Sequence, residues 1–478
     1  MLKKLIKSIS CFIFLITLSA CTVGPPITLF PIEKYDQNID RWIPPTDPDY
    51  YKPLIEAGVQ KKRLQEYYRH YYATDAKSLS PWGPAYVNKL LPKVQLEERQ
   101  EINAHSNKGK TDPEKIGYGE NFRPYSAKWI DDIAVNMNVK RFAEPIKFKF
   151  SNRGIAVRNL NARILPTNDV HFNDFMLPGQ GYPFDNLQDS SIWVGTPVYI
   201  VGKTLDQQWS LVITPAFMAW VESDGVATVN KKFVALWQKR AKQKMVAITR
   251  TNVSVFDANK QYRFNAYVGT VFPGKNCTKQ GCTILIPVAD AYHNAHTMEA
   301  KVESKDAVVM PLSATPHNFA RIISTLHGRP YGWGNMYFYN DCSAELRSIY
   351  TPFGIWLPRN SASQVRAGRM IDKSSLDMKG RLNYLMANGK KFTTIIYIDG
   401  HVMLYIGKYP NLASDPGKLT AVIYQDKWGL KPKDNSYRAV IGKSAFLPML
   451  EKYPEDSKLN SLAGEKNFKV AYLDELPN

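Results

Sequence analysis

The spacing of apolar residues divides the chain into three parts. Near the N-terminus, apolar and aromatic side chains between about residues 54 and 72 recur every three or four positions, which predicts a helix. From about residue 150 they form short runs separated by Gly, Pro and Asp, which predicts strands. Beyond residue 313, helical and strand patterns both occur. We therefore expect a helical, a β-rich and an α+β segment, in this order.

The β-rich segment contains two blocks of short strand-like runs. The first block includes runs at 157–166 and 193–201, and the second block covers about 246–287. Short strands with frequent turn residues are typical of small barrels. We therefore predict one barrel over 146–228 and a second barrel over 229–312.

Two cysteines lie between strand-like runs of the second block. Cys277 and Cys282 enclose Thr-Lys-Gln-Gly, which suits a hairpin tip closed by a disulfide in an oxidising compartment. A metal site would need further ligands nearby, and the neighbouring sequence contains none. The sequence therefore predicts a disulfide here, and no metal site.

The C-terminal segment, residues 313–478, holds the residues that point to chemistry. Cys342 stands at the start of a predicted helix, and His401 stands at the head of a predicted strand. A helix N-terminus favours thiolate over thiol, and an imidazole can take the thiol proton. Without further context, such a cysteine is more often a small buried apolar residue, and such a histidine is an ordinary strand-end residue.

The order of short motifs around these two residues adds specificity. The motifs are Tyr331-Gly-Trp-Gly334, Asp341-Cys342-Ser343, Leu357-Pro-Arg359, Ser361, Gln364 and Gly400-His401. Over about 316–445, this order resembles the NlpC-like family of bacterial cell-wall cysteine peptidases.

Upstream of this segment the resemblance extends to about residue 150. The first barrel is similar to bacterial SH3-like domains that accompany wall peptidases, through the stretches 161–167, 181–188, 193–197 and 220–221. Residues 49–145 more loosely resemble the helical clip-like segment of multidomain members. The implied fold class is α+β, with a papain-like C-terminal peptidase domain preceded by two small SH3-like β-barrels and a helical N-terminal clip.

The resemblance implies a role for each matching residue. Cys342 would be the nucleophile and His401 the base. Relatives commonly have a histidine as the third catalytic residue, where this chain has Gln425, whose amide oxygen can accept the imidazole N–H. Asp426 is the alternative, although its side chain should point to the opposite face of the strand. The implied substrate-binding residues are Tyr331, Asp341, Ser343 and Arg359.

The implied activity is a peptidoglycan stem-peptide endopeptidase. The scissile bond, between γ-D-glutamate and the diamino acid, comes from the resemblance alone. A non-catalytic wall-binding scaffold is one alternative, because the barrels, the basic surface and the replacement at Gln425 would also suit it. A thiol hydrolase that acts on another acyl group is a second alternative, since a fold does not fix a substrate.

The first residues predict the compartment. Three lysines precede a short apolar stretch at 12–18, which is too short to span a bilayer. The sequence Leu-Ser-Ala-Cys21 resembles the processing box of bacterial lipoproteins, so residues 1–20 would be a signal peptide and Cys21 would carry lipid. Thr22 then favours the outer membrane, with the protein facing the periplasm. The proline-rich residues 21–48 predict an extended tether.

The net charge limits the class of partner. The formal charge of the chain is +19, which suits anionic partners. Outside the cytoplasm these are wall polymers or lipid headgroups rather than nucleic acid. The expected partners are therefore peptidoglycan stem peptides and, through the N-terminal lipid, a membrane. The protein is predicted to be a monomer without a cofactor.

Overall fold

The computed structural model describes residues 26–143, 146–410 and 419–477. The predicted signal peptide and Cys21 lie outside the described residues. No helix in the described ranges is both long and apolar enough to cross a membrane. The architecture confirms the predicted α+β class, because helices at the N-terminus precede two small β domains and a mixed C-terminal domain.

A short strand and several helices form the N-terminal segment. They are β1 (Ile27–Leu29), α1 (Ile39–Trp42), α2 (Ala57–Tyr71), α3 (Pro84–Leu90), α4 (Val94–His105) and α5 (Ala127–Met137). Ser126 caps α5 by accepting the Trp129 N–H, and Asn138 ends it in the left-handed conformation. The buried indole of Trp82 donates to the Gly154 carbonyl at 2.7 Å. This bond fixes the helices on the first β domain.

The first β domain is an antiparallel sheet that is apolar on both faces. Its strands are β2 (Arg153–Ala156), β3 (Leu160–Arg163), β4 (Gln188–Ile192), β5 (Pro197–Lys203), β6 (Trp209–Ile213), β7 (Met218–Glu222) and β8 (Val226–Thr228), in the order β4-β3-β7-β6-β5-β2-β8. Val212 and Val221 pack inside the domain, whereas Leu211 and Trp220 pack against the N-terminal helices. Because successive side chains of a strand point to opposite faces, these strands contribute residues to two separate hydrophobic cores.

The second β domain begins with a helix. Its elements are α6 (Lys231–Gln243), β9 (Met245–Ile248), β10 (Val253–Asp257), β11 (Tyr262–Ala266), β12 (Val271–Cys277), β13 (Gly281–Ala289), β14 (Ala295–Glu303) and β15 (Ala307–Val309). The strand order is β11-β10-β14-β13-β12-β9-β15. Cys277 and Cys282 lie opposite each other on β12 and β13 and form a disulfide, at the hairpin where the sequence predicts it.

The C-terminal domain packs helices against a mostly antiparallel sheet. Its elements are α7 (Pro316–Leu326), α8 (Cys342–Tyr350), α9 (Ser361–Gln364), β16 (Arg369–Asp372), α10 (Met378–Asn388), β17 (Thr394–Ile398), β18 (His401–Pro410), β19 (Leu419–Leu430), β20 (Arg438–Pro448) and β21 (Phe468–Tyr472). The sheet order is β1-β20-β19-β18-β17-β21-β16. Leu346 and Ile349 of α8 share a buried core with Val402 and Tyr424, so α8 lies across β18 and β19.

The predicted tether is wrong from residue 26 onward. β1 pairs in parallel with β20, the backbone N–H of Arg438 donates to the Pro26 carbonyl at 2.9 Å, and Phe30 donates to the Val440 carbonyl at 2.9 Å. Phe30 and Ile32 are buried in the core of the C-terminal domain. Proline content indicates an extended chain, which can be either a free tether or an edge strand. Burial of the apolar side chains of Phe30 and Ile32 favours the edge strand here.

Candidate active site

Cys342 is the first residue of α8. Asp341 precedes the helix in an extended conformation, and its Oδ1 accepts the N–H groups of Ser343 at 3.1 Å and Ala344 at 2.9 Å. This cap explains why the helix begins where it does. Cys342 is 8% exposed and borders two cavities. Its thiol is therefore accessible to a ligand despite its burial.

His401 opens β18, directly after a tight turn. Gly400 adopts a φ of 73°, which glycine tolerates better than other residues. The turn places His401 opposite Ile398 of β17 and in the same cavity as Cys342. His401 Nε2 lies 2.7 Å from Gln425 Oε1 on the neighbouring strand β19. An amide oxygen only accepts, so Nε2 carries the hydrogen and Nδ1 is left as the basic nitrogen.

Asp426, the alternative third residue, faces away from this pair. Its carboxyl group is buried, and neither oxygen has a hydrogen-bond partner among the described residues. Burial raises the pKa of Asp426 well above its usual range, and the neighbouring carboxyl of Glu345 raises it further. Gln425 is therefore the residue that holds the imidazole ring.

Burial favours the neutral forms of both Cys342 and His401. It raises the pKa of the Cys342 thiol to about 12, and the Asp341 carboxylate adds to this rise. It also lowers the pKa of His401 well below its usual value, and the charge of Lys427 lowers it further. Burial and the adjacent Asp341 carboxylate therefore both disfavour the thiolate that the sequence predicts for the free protein.

Three of the predicted substrate-binding residues meet beside Cys342. Arg359 Nη2 pairs with Asp341 Oδ2 at 2.5 Å, and Arg359 Nη1 donates to Ser343 Oγ at 2.6 Å. Burial alone would raise the pKa of Asp341, but the Arg359 charge and its hydrogen bonds reverse the effect and lower it. These groups contact one another, so their first effect is to fix the helix start.

The first β domain contributes to the larger cavity beside Cys342, which measures about 380 Å³. Arg359 donates to the Asp189 carbonyl at 3.0 Å and to Ser190 Oγ at 2.7 Å, which joins β4 to the C-terminal domain. The Asp189 side chain borders the cavity, and burial raises the pKa of its carboxyl, with Arg359 opposing. Tyr331 borders the same cavity.

A second cavity of about 300 Å³ also reaches Cys342, and Tyr331 borders it too. Its lining includes three basic side chains, Lys427, Lys431 and Arg438. The sequence reasoning missed these residues and Asp189. Lys427 could have been found, because it lies two positions after Gln425 and so on the same face of the strand. Asp189 carries no local signal, since its relevance depends on how two domains meet.

Family models match three parts of the chain. Residues 171–222 match the SH3 domain of SH3b1 type, residues 230–275 match the SH3 domain of SH3b2 type, and residues 328–431 match the NlpC/P60 family. The chain thus carries an NlpC/P60 domain preceded by two SH3-type domains, as the motifs predicted. Members of the NlpC/P60 family are cysteine peptidases, so this protein is a cysteine peptidase. The NlpC/P60 domain implies a cell-wall peptide as the substrate class.

Two relatives support this assignment. A solved NlpC/P60 endopeptidase from Photobacterium damselae subsp. piscicida is 26% identical, with a TM-score of 0.79 over 94% of this chain and 99% of that chain. A γ-D-glutamyl-L-lysine dipeptidyl-peptidase of Bacillus subtilis (strain 168) is 25% identical over 230 residues, which are 47% of this chain and 71% of the relative. The similarity to the solved endopeptidase thus extends over nearly the whole domain arrangement.

Proposed function

We propose that this NlpC/P60 peptidase hydrolyses the bond between γ-D-glutamate and the diamino acid of peptidoglycan stem peptides. The observation that carries the proposal is the position of Cys342 at a helix N-terminus, in one cavity with an imidazole held by Gln425. The Bacillus subtilis relative is named for a γ-D-glutamyl-L-lysine bond, which supports the same acyl group here.

In the proposed reaction, the Cys342 sulfur attacks the glutamyl carbonyl carbon while His401 Nδ1 takes the thiol proton. The oxyanion that forms is stabilised by the backbone N–H of Cys342 at the positive end of α8. The C–N bond then breaks as His401 returns the proton to the leaving amine. A water molecule, deprotonated by His401, hydrolyses the thioester and restores the thiol.

The first β domain supports a limit on the substrate. Its strand β4 borders the larger cavity, where the carboxylate of Asp189 can pair with a free α-amino group. A stem peptide that is still joined to a glycan strand has no such amine. Stem peptides with a free amino terminus are therefore the proposed preferred substrates, and the acyl half of the peptide occupies this cavity.

A digest of free stem peptides tests the proposed reaction. Stem tetrapeptides with a free amino terminus are incubated with residues 22–478, with Cys342→Ala and with Cys342→Ser, and the products are identified by mass. We expect L-alanyl-γ-D-glutamate from the unchanged protein and a rate at least about 1000-fold lower from both variants, because each removes the thiol. The same product yield from all three proteins would exclude Cys342 as the nucleophile. Binding to sedimented wall without cleavage would instead support the scaffold alternative.

The location of the protein is part of the proposal. The lipoprotein-like sequence before Cys21 supports attachment to the outer membrane by lipid at this residue, with the peptidase in the periplasm. Labelled palmitate should be incorporated into the full chain expressed in a Gram-negative host and not into the Cys21→Ser variant. Label in both proteins, or in neither, would contradict lipidation at this site.

A further inference from the structure

We propose that the 300 Å³ cavity is a carboxylate-binding subsite for the leaving diamino acid, and that Lys427 recognises the side-chain carboxylate which diaminopimelate has and lysine lacks. This inference rests on the proposed function, which puts the acyl half of the substrate in the cavity with Asp189. Since both cavities reach Cys342, the other one receives the half of the peptide that leaves.

The cavity is basic where it meets the reacting groups. Lys427, Lys431 and Arg438 border it together with Cys342 and His401. Burial lowers the pKa of Lys427 to about 8; the charges of Cys342 and Glu465 oppose this fall, and those of Lys431 and Arg438 add to it. Clustered cations that repel one another are stabilised when an anion binds among them.

The acidic residues of the cavity are already engaged. Glu465 lies 3.6 Å from Lys431 and accepts a hydrogen bond from Asn460 at 3.0 Å. Asp399 accepts the backbone N–H of Asn467 at 3.3 Å. Neither carboxylate forms an ion pair with Lys427 in the described part of the chain. Neither of these two carboxylates therefore competes with an anionic ligand for Lys427.

Of the three cations, Lys427 is the one that has no partner in the described parts of the chain. Lys431 pairs with Glu465, and Arg438 donates to the Tyr437 carbonyl at 2.8 Å. The Lys427 ammonium has neither an ion-pair partner nor a hydrogen-bond acceptor among residues 26–143, 146–410 and 419–477. A half-buried ammonium that is left unpaired costs free energy unless a ligand supplies the opposite charge. Its place two residues after Gln425 directs it to the cavity that His401 also borders.

A second role for Lys427 makes a different prediction. Its charge also lowers the pKa of the Cys342 thiol, so it could act on the nucleophile rather than on the substrate. An effect on the nucleophile would change the rates for all substrates by the same factor. An effect on substrate recognition would depend on whether the substrate carries the side-chain carboxylate.

The test compares two tetrapeptides, L-Ala-γ-D-Glu-X-D-Ala, in which X is meso-diaminopimelate or L-lysine. We expect residues 22–478 to hydrolyse the diaminopimelate peptide with a kcat/KM at least about tenfold higher, as one charge-assisted hydrogen bond allows. Lys427→Met should lower kcat/KM for this peptide about tenfold more than for the lysine peptide, mainly through KM. Lys427→Arg should keep part of the preference. Lys433→Met, a change of an exposed lysine outside both cavities, should have no effect.

Equal kcat/KM for the two peptides in the unchanged protein would overturn the inference, as would an equal loss for both peptides in Lys427→Met. A binding experiment separates this result from failure of the proposed reaction. Titration of Cys342→Ala with each peptide should show tighter binding of the diaminopimelate peptide, and Lys427→Met in the same background should remove the difference. If neither peptide is cleaved, the proposed reaction fails, and equal binding by Cys342→Ala would overturn the subsite too.

Discussion

Burial favours the uncharged forms of Cys342 and His401, the proposed nucleophile and base, in the free protein. His401 has a lowered pKa because burial disfavours the imidazolium, and its ring partner Gln425 is neutral. Cys342, the proposed nucleophile, has a raised pKa for the same reason. In the proposed reaction, the proton therefore moves from sulfur to imidazole during the attack rather than before it.

Gln425→Glu is expected to move the acidic limb of the kcat/KM profile to higher pH. A carboxylate beside the ring favours the imidazolium and so raises the pKa of His401. The base is inactive when it is protonated, so activity should already fall at a higher pH than in the unchanged enzyme. Gln425→Ala should lower kcat about 10- to 100-fold, because the ring loses the acceptor that orients it.

The neighbouring residue provides the matched control. Asp426 is buried and its raised pKa keeps it protonated, so Asp426→Asn replaces one neutral group by another of similar shape. Its pH profile should superimpose on that of the unchanged enzyme. An acidic limb that stays in place in Gln425→Glu, or that moves in Asp426→Asn, would show that Gln425 does not control the base.

At the scale of single elements, β1 and the residues after it belong to the peptidase domain. Phe30 is buried, with its ring centroid 5.8 Å from that of Tyr35 and 5.6 Å from that of Tyr453. Phe30→Ala should lower the free energy of unfolding of this domain by about 3 kcal/mol or more, since a large buried ring is replaced by a cavity. Urea unfolding, followed through loss of peptidase activity, measures the change.

Leu29 is the control for this prediction. It lies next to Phe30 on the same segment but is 84% exposed. Leu29→Ala should change the free energy of unfolding by less than about 0.5 kcal/mol. A freely moving tether would make the two variants equally stable, which would contradict the pairing of β1 with β20.

The elements that carry the catalytic motif could be predicted, whereas β1 could not. Thr315 and Asp341 are capping residues, and each directly precedes a helix of the peptidase domain, α7 and α8 respectively. β1 is three residues long and pairs with a strand about 400 residues away, so no local periodicity marks it. Its only signal is the run of Phe30, Ile32 and Tyr35, which proline content obscures.

At the scale of the whole molecule, the cleft is built by two domains. The Gln188 side-chain amide of β4 donates to the Gly334 carbonyl at 2.9 Å, and Ser191 Oγ donates to the Asn335 carbonyl at 3.2 Å. These bonds join β4 to the loop before Cys342 and bring Asp189 to the cavity. Sequence motifs identify each domain separately, but the register between domains depends on such long-range contacts and cannot be read from either.

The pairing of β1 with β20 also limits how far the peptidase domain can lie from a lipid attached at Cys21. If lipid is attached at Cys21, only four residues lie between it and Pro26, whose carbonyl accepts a hydrogen bond from Arg438 of the peptidase domain. Even a fully extended chain from Cys21 to Pro26 spans no more than about 18 Å, whereas a free tether over residues 21–48 would span roughly 90 Å. The enzyme would then lie directly at the bilayer surface and act only on peptides that come close to the membrane.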